Sequence, residues 1–274
     1  MTDRISEIEI INRKPQRQLF ETPLLFIHGT GHAAWCWDEY FLPYFAERGF
    51  DCYALSLRGH GASEGHEKLK WTSVADYVSD VSRVASGLPK TPVVIGHSLG
   101  GLVVQKYLEE HEAKAAILLT PSPSEGMFWS AFWLPFKHPI LMMKIGFYQD
   151  YSLMFATPEL AKNFLFAKDT NIEKIAGYVS KFGKESYRAN LEMIFNLPKP
   201  EKIRTKILVL GADEDALVSK RAVEKTARVY NADCKFFHKM GHDLMLDDSW
   251  QVVADHMIEW MREKLPPIPT PDSP

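Results

Sequence analysis

Four short apolar runs recur along the chain, each ending at a glycine or a polar loop: "PLLFIHG" from Pro23, "TPVVIGHS" from Thr91, "KAAILLT" from Lys114 and "KILVLGADED" from Lys206. None of them alternates polar with apolar residues, so each must bury both faces. That is the pattern of strands inside a parallel sheet covered by helices on both sides. "GFDCYALSLRGHG" from Gly49 and "CKFFHKMGHD" from Cys234 supply two further strands ending in glycine- and histidine-rich loops. Helical stretches fall between the strands. They are Trp35 to Arg48, Thr72 to Leu88 with Val74, Tyr77, Val78, Val81 and Val84 along one face, Leu99 to Glu110, Ser219 to Tyr230, and Ser249 to Lys264. Strand and helix therefore alternate, with crossovers long enough for parallel pairing, and the expected fold is α/β with a doubly wound, mostly parallel sheet. Ile5 to Ile11 alternates as a half-exposed edge strand does, and Arg13 to Arg17, with Pro15, reads as the turn into a second strand.

The alternation breaks after Thr120. Residues 128–195 hold 15 of the 33 aromatic side chains, with Met127, Met142, Met143, Met154 and Met193 in or beside them, and contain no buried-strand run. Residues 124–197 are thus expected to be a helical insertion, dividing a core made of residues 1–123 and 198–265. The last nine residues, "PPIPTPDSP", include five prolines and read as an extended tail over 266–274.

With 274 residues the chain can bury one large α/β core and an inserted subdomain. The formal net charge of −3 and the lack of a basic stripe argue against a nucleic-acid partner. Cys36, Cys52 and Cys234 show no C-x-x-C spacing, which favours isolated thiols over a disulfide framework or a zinc site. "MTDRISEIEI" has no apolar core of a signal peptide, and no uncharged apolar run approaches the length of about 18 residues that a membrane span needs. A cytoplasmic protein is expected, monomeric or homodimeric.

The chemistry centres on Gly96-His97-Ser98-Leu99-Gly100, placed between a strand and a helix. A serine hydroxyl is a weak nucleophile without a base beside it. A sharp strand-to-helix turn, with glycines removing side chains that would collide, makes such a serine protrude, and the helix N-terminus favours developing negative charge. The partners fall in order. "GADED" places Asp213, Glu214 and Asp215 in a loop after one strand, and "FFHKMGHDLMLD" places His242 in a loop after the next.

Taken together, "HGTG", "RGHGAS", "GHSLGG", "GADEDALV" and "GHD" resemble the α/β-hydrolase superfamily over nearly the whole chain, most of all bacterial esterase and lysophospholipase-like members with an inserted lid. The resemblance implies an eight-stranded sheet. It also implies Ser98 as nucleophile, His242 as general base and then acid, and Asp215 as the acid orienting the imidazole. The backbone N–H groups of Thr30 and Leu99 would form the oxyanion hole. Glu214 competes with Asp215 when the loop is counted from Gly211, whereas counting back from Leu217 and Val218 favours Asp215. The activity implied is cofactor-free hydrolysis of a carboxylic ester or lactone with an apolar acyl or aromatic group. Amide hydrolysis, other reactions of the same triad, and a non-catalytic small-molecule receptor are the alternatives.

His28 with His32, and His238 with His242, have the four-residue spacing of helical zinc ligands, but both pairs fall in strand-end loops without an acidic third ligand, so no metal is expected. The resemblance gives His28 a structural role, shaping the oxyanion loop, and His32 would line the site. Trp35 and Trp37 are expected in or beside the core. Phe128, Trp129, Phe132 and Trp133 would form a broad aromatic helix face against the acyl group, because ligands of open α/β sheets bind at the carboxyl ends of the strands.

Overall fold

The computed structural model describes residues 7–265. The proline-rich tail and the first residues of the expected Ile5–Ile11 strand lie outside the described residues. β1 (Ile10–Arg13), β2 (Leu24–Ile27), β3 (Cys52–Leu55), β4 (Val93–His97), β5 (Ala115–Leu119), β6 (Ile207–Ala212) and β7 (Asp233–Phe237) form one sheet in the order β1-β3-β2-β4-β5-β6-β7. β1 is antiparallel to β3, and every other pair is parallel.

Among the described residues the sheet has seven strands, one fewer than the eight expected. The stretch after Arg13 does not enter a second strand. Pro15 and Pro23 bracket it, each lacking an N–H for a ladder, and the Leu19 and Phe20 N–H groups donate to the Gly49 carbonyl instead (2.9 and 3.3 Å).

The central strands are buried along their length, and their alternate residues feed two separate cores. On one face Leu24 and Phe26 pack with α1 (Trp35–Asp38), α2 (Phe41–Glu47) and α11 (Trp250–Lys264), through Trp37, Phe41, Phe45, Met257 and Met261. On the other, Leu25 and Ile27 pack with α3 (Val74–Gly87), α4 (Leu99–Tyr107) and α10 (Lys220–Val229). The sheet is doubly wound.

Local chemistry sets the helix ends. Ser73 and Asp76 form a reciprocal capping box at the start of α3, with bonds of 3.1 and 2.8 Å. The single helix expected from Trp35 to Arg48 is two, broken at Tyr40 (φ −139°). Pro43 explains the break, since in a continuous helix its ring would collide with the Glu39 carbonyl and offer that group no N–H.

Between β5 and β6 the chain makes α5 (Phe128–Lys137), α6 (Pro139–Tyr148), a 3₁₀ turn over Tyr151–Phe155, α7 (Pro158–Leu165), α8 (Ile172–Val179) and α9 (Tyr187–Phe195). Ile145, Phe155, Phe164, Ile175 and Tyr178 join this segment to the core on the α1–α2–α11 face. Among the described residues no helix is long and apolar enough to cross a membrane.

Candidate active site

Ser98 sits between β4 and α4 with φ 51° and ψ −117°, a backbone region that non-glycine residues enter at an energetic cost. The surroundings hold it there. Its N–H donates to Leu119 O (3.1 Å), and its carbonyl accepts from Gly101 N (2.9 Å) and Ser122 N (3.0 Å). The flanking glycines are required by close approach. A Cβ on Gly96 would lie 2.5 Å from Gly100 O, and one on Gly100 would lie 2.3 Å from His28 O. Leu99 is the first residue of α4, so its N–H has no intrahelical acceptor.

His242 lies in the loop after β7. Its Nδ1 is 2.8 Å from Asp215 Oδ2, and both side chains are buried. Asp215 Oδ1 accepts from the Leu217 and Val218 N–H groups (2.8 and 2.9 Å), which fixes the carboxylate that orients the ring. Burial by itself would lower the His242 pKa. The charge and hydrogen bond of Asp215, with a smaller pull from Asp243, outweigh it and hold the imidazole above its ordinary value. The competing acids point elsewhere: Glu214 accepts from the Lys168 N–H (3.0 Å), and Asp213 contacts the exposed His238 and the Lys239 N–H. Of the three, the loop presents Asp215 to His242. The His242 carbonyl accepts from Thr120 Oγ1 (2.8 Å), and Thr120 also has a positive φ (39°).

Thr30 stands in the loop after β2, where its carbonyl accepts from His32 Nδ1 (2.8 Å). His28 Nδ1 donates to Gly29 O and its Nε2 accepts from the Leu57 N–H, and burial keeps this ring neutral well below its ordinary pKa. Gly31 is gripped from the inserted segment, its N–H by Glu185 Oε2 (3.3 Å) and its carbonyl by the Gly183 N–H (2.8 Å). Glu185 is buried against His60 (3.2 Å) and accepts from Tyr77 OH (2.6 Å). Burial pushes Glu185 up and His60 down. Their mutual attraction prevails, leaving Glu185 below and His60 above their ordinary values.

A cavity of about 850 Å³ joins these groups. Thr30, His32, Ser98, Asp215 and His242 line it from the strand ends, and Met142, Met154, Phe155, Phe164 and Tyr187 are among the side chains that line it from the inserted segment. Of the aromatic face expected on α5, Trp133 reaches the cavity. Phe128 and Phe132 do not; they are half-exposed, and Ser130, Ala131 and Leu134 form the wall in their place. The helical period explains this correction, because residues 128, 132 and 136 share one face and 130, 134 and 137 another. The side chain of Trp129 lies outside the described ones.

Two buried carboxylates escaped the sequence reading. Asp243 bridges His32 Nε2 (3.0 Å) and His97 Nε2 (3.4 Å). Burial raises its pKa, but His32 above all outweighs this and holds it below the ordinary value, while burial pushes His97 down to about 3. The signal for Asp243 was its position next to His242 in "GHD"; Glu185 offered none. The histidine pairs of zinc-like spacing do not converge, since both His28 nitrogens are engaged and His238 is exposed. His97, His242 and Asp243 do gather their ligand atoms within 4.8 Å. A cation there would compete with His32 for Asp243.

Residues 24–256 match the Alpha/beta hydrolase family. A segment of 83 residues, 29% of this chain, is 35% identical to the protein phosphatase methylesterase 1 of Mus musculus and spans only 22% of that enzyme's length. In overall structure the chain is similar to a carboxylesterase of Nitrososphaera gargenis (TM-score 0.74, 18% identity, 96% of this chain and 97% of the other). It is also similar to an esterase of Exiguobacterium antarcticum (TM-score 0.75, 17% identity, 94% and 96%). At such identities the likeness speaks for the fold.

Proposed function

Because the chain belongs to the alpha/beta hydrolase family, we propose that it is a serine hydrolase that cleaves a carboxylic ester or lactone bearing an apolar acyl group, through an acyl-enzyme on Ser98. What carries the reading is that the Asp215–His242 contact at 2.8 Å and the strained Ser98 open onto one cavity. His242 Nε2, which has no hydrogen-bond partner among the described residues, takes the Ser98 Oγ proton as Oγ bonds to the acyl carbon. The carbonyl oxygen becomes an oxyanion facing the Leu99 and Thr30 N–H groups, which bind it more strongly than the ground-state carbonyl. The ester C–O bond breaks and His242 returns the proton to the leaving oxygen. Water then repeats the sequence to release the acid and restore Ser98. Asp215 keeps the ring oriented and stabilises its charged form throughout. No cofactor enters these steps.

The inserted segment, residues 124–197, acts in this reading as a cap whose methionines and phenylalanines receive the acyl group. Lysophospholipids, monoacylglycerols, small esters and acyl-homoserine lactones all fit that chemistry, and the esterase names of the structural neighbours agree with it. The test is labelling with a fluorophosphonate probe, expected for the wild type and absent in Ser98→Ala. A folded wild-type protein that never labels would overturn the proposal.

A further inference from the structure

From Gly126 to Gln149 the chain holds no aspartate or glutamate, and its fixed charges are Lys137 and Lys144. Within this stretch α6 is apolar on two opposite sides. Met142 and Ile145 line the cavity. Ile140, Met143 and Phe147, at i, i+3 and i+7, face outward and are 66%, 69% and 81% exposed. Phe136, near the end of α5, adds a side chain that is 69% exposed, and Lys144 is exposed beside them, as is Lys137, which also borders the cavity. A contiguous surface of large apolar side chains is a mark of an interaction site.

We propose that the outer face of α5 and α6 docks on an anionic phospholipid bilayer surface, with Phe147, Met143 and Ile140 entering the headgroup–acyl boundary and the lysines meeting the headgroups. Charge decides between this occupant and a second copy of the chain. A two-fold contact sets the same patch against itself, and here that would oppose lysines with no carboxylate between Gly126 and Gln149 to pair them. Anionic headgroups supply the missing charge, and the lysines and the apolar side chains then act together. The positive charge is local, since the whole chain is net −3. The opposite sides of the same helices line the cavity, so docking would bring that cavity to the lipid. The surface argument stands independently of the ester reading, because binding requires no turnover.

The experiment is flotation of the full chain with vesicles of phosphatidylcholine alone and with vesicles in which a third of the lipid is phosphatidylglycerol. The wild type is expected to float with the anionic vesicles and to lose binding as salt rises. Ile140→Ser with Phe147→Ser is expected to weaken that binding by about tenfold or more, and Lys144→Glu by about fivefold or more. These positions do not line the cavity, so hydrolysis of a short-chain p-nitrophenyl ester and the circular dichroism spectrum are expected to stay as in the wild type. A wild type that floats with neither vesicle, or equally with both, overturns the proposal, as does a double variant that floats like the wild type. Sedimentation equilibrium adds a further arm: a wild-type dimer that the double variant dissociates would assign the face to a second copy and overturn it equally.

Discussion

The loops at the strand ends and the inserted helices wall the same cavity, yet they are held in opposite ways. Ser98, Asp215 and His242 each lie in the turn or loop that follows a strand, and each is tied down by neighbouring chain. The ties are the Ser98 N–H to Leu119 O, Asp215 to the Leu217 and Val218 N–H groups, and Thr120 Oγ1 to the His242 carbonyl. α5 and α6 rest on the cavity with one side and leave the other exposed. The inserted segment is tied to the platform at several points: Ser130 Oγ donates to Leu217 O, Leu165 O accepts from the Asp243 N–H, the Lys168 N–H donates to Glu214, and Gly183 and Glu185 hold both backbone groups of Gly31. Bond-making demands atoms fixed to a fraction of an ångström, whereas an apolar wall needs only volume and surface. One architecture thus pairs a rigid reaction platform with a wall free to vary.

Substitutions on the platform can break that comparison most sharply. Asp215→Asn is expected to lower kcat by about 10⁴-fold, because the imidazole loses its orienting charge and correct tautomer. KM should change little and the fold should persist. Glu214→Gln and Asp213→Asn, whose carboxylates face Lys168 and His238, should leave kcat close to the wild type. Steady-state kinetics on a p-nitrophenyl ester checks all three, and a kcat collapse in Glu214→Gln instead would reassign the acid.

The place where the inserted segment grips the Thr30 loop should give the next largest effect. Glu185→Gln keeps an oxygen for the Gly31 N–H but removes the charge facing His60. Complete removal of an oxyanion donor costs about 10²–10³-fold in kcat, so misplacing the proposed Thr30 donor should cost about tenfold. The loss should fall on kcat and on the rate of fluorophosphonate labelling, with KM nearly constant. An equal loss in KM would mean that Glu185 only shapes the acyl pocket. The buried pair also predicts a lower melting temperature, because His60 would keep its burial without its counter-charge.

How legible each region was follows from the same contrast. The strand runs, Ser98 and the acid-then-histidine order could be read because each depends on local chain: apolar length, flanking glycines, and loops that begin where strands end. The break at Pro43 was also local and lay open to a stricter reading. The side of α5 facing the cavity was not legible. "FWSAFWLPF" is apolar nearly all round, so the sequence carries no polar face to orient it, and Phe128 and Phe132 proved to lie off the wall. Glu185 and His60 were hidden for another reason. A buried ion pair between distant segments has no sequence period, and an acidic residue among lysines and serines reads as surface. Asp243 was visible within "GHD", but only the fold brings His32 and His97 to it.

The smallest expected effect separates two carboxylates of equal burial, one on each side of the comparison. Asp243, beside His242, helps to raise the imidazole pKa, whereas Glu185 acts on His60. In the proposed reaction His242 accepts the Ser98 proton only when neutral, so activity should rise as pH climbs through its folded-state pKa, and a raised value delays that rise. Asp243→Asn removes one raising charge while keeping an oxygen that can accept from His32. The acid limb of kcat/KM against pH should therefore move to lower pH, by less than Asp215 would cause, because Asp215 is the larger influence. His97 adds no second limb: held near 3 by burial, it stays neutral across the working range, and losing Asp243 lowers it further. Glu185→Gln should lower the plateau and leave the limb where it is. If both substitutions shifted the limb together, the inserted segment would be part of the electrostatics of His242, and the division between platform and wall would fail at the point where it matters most for catalysis.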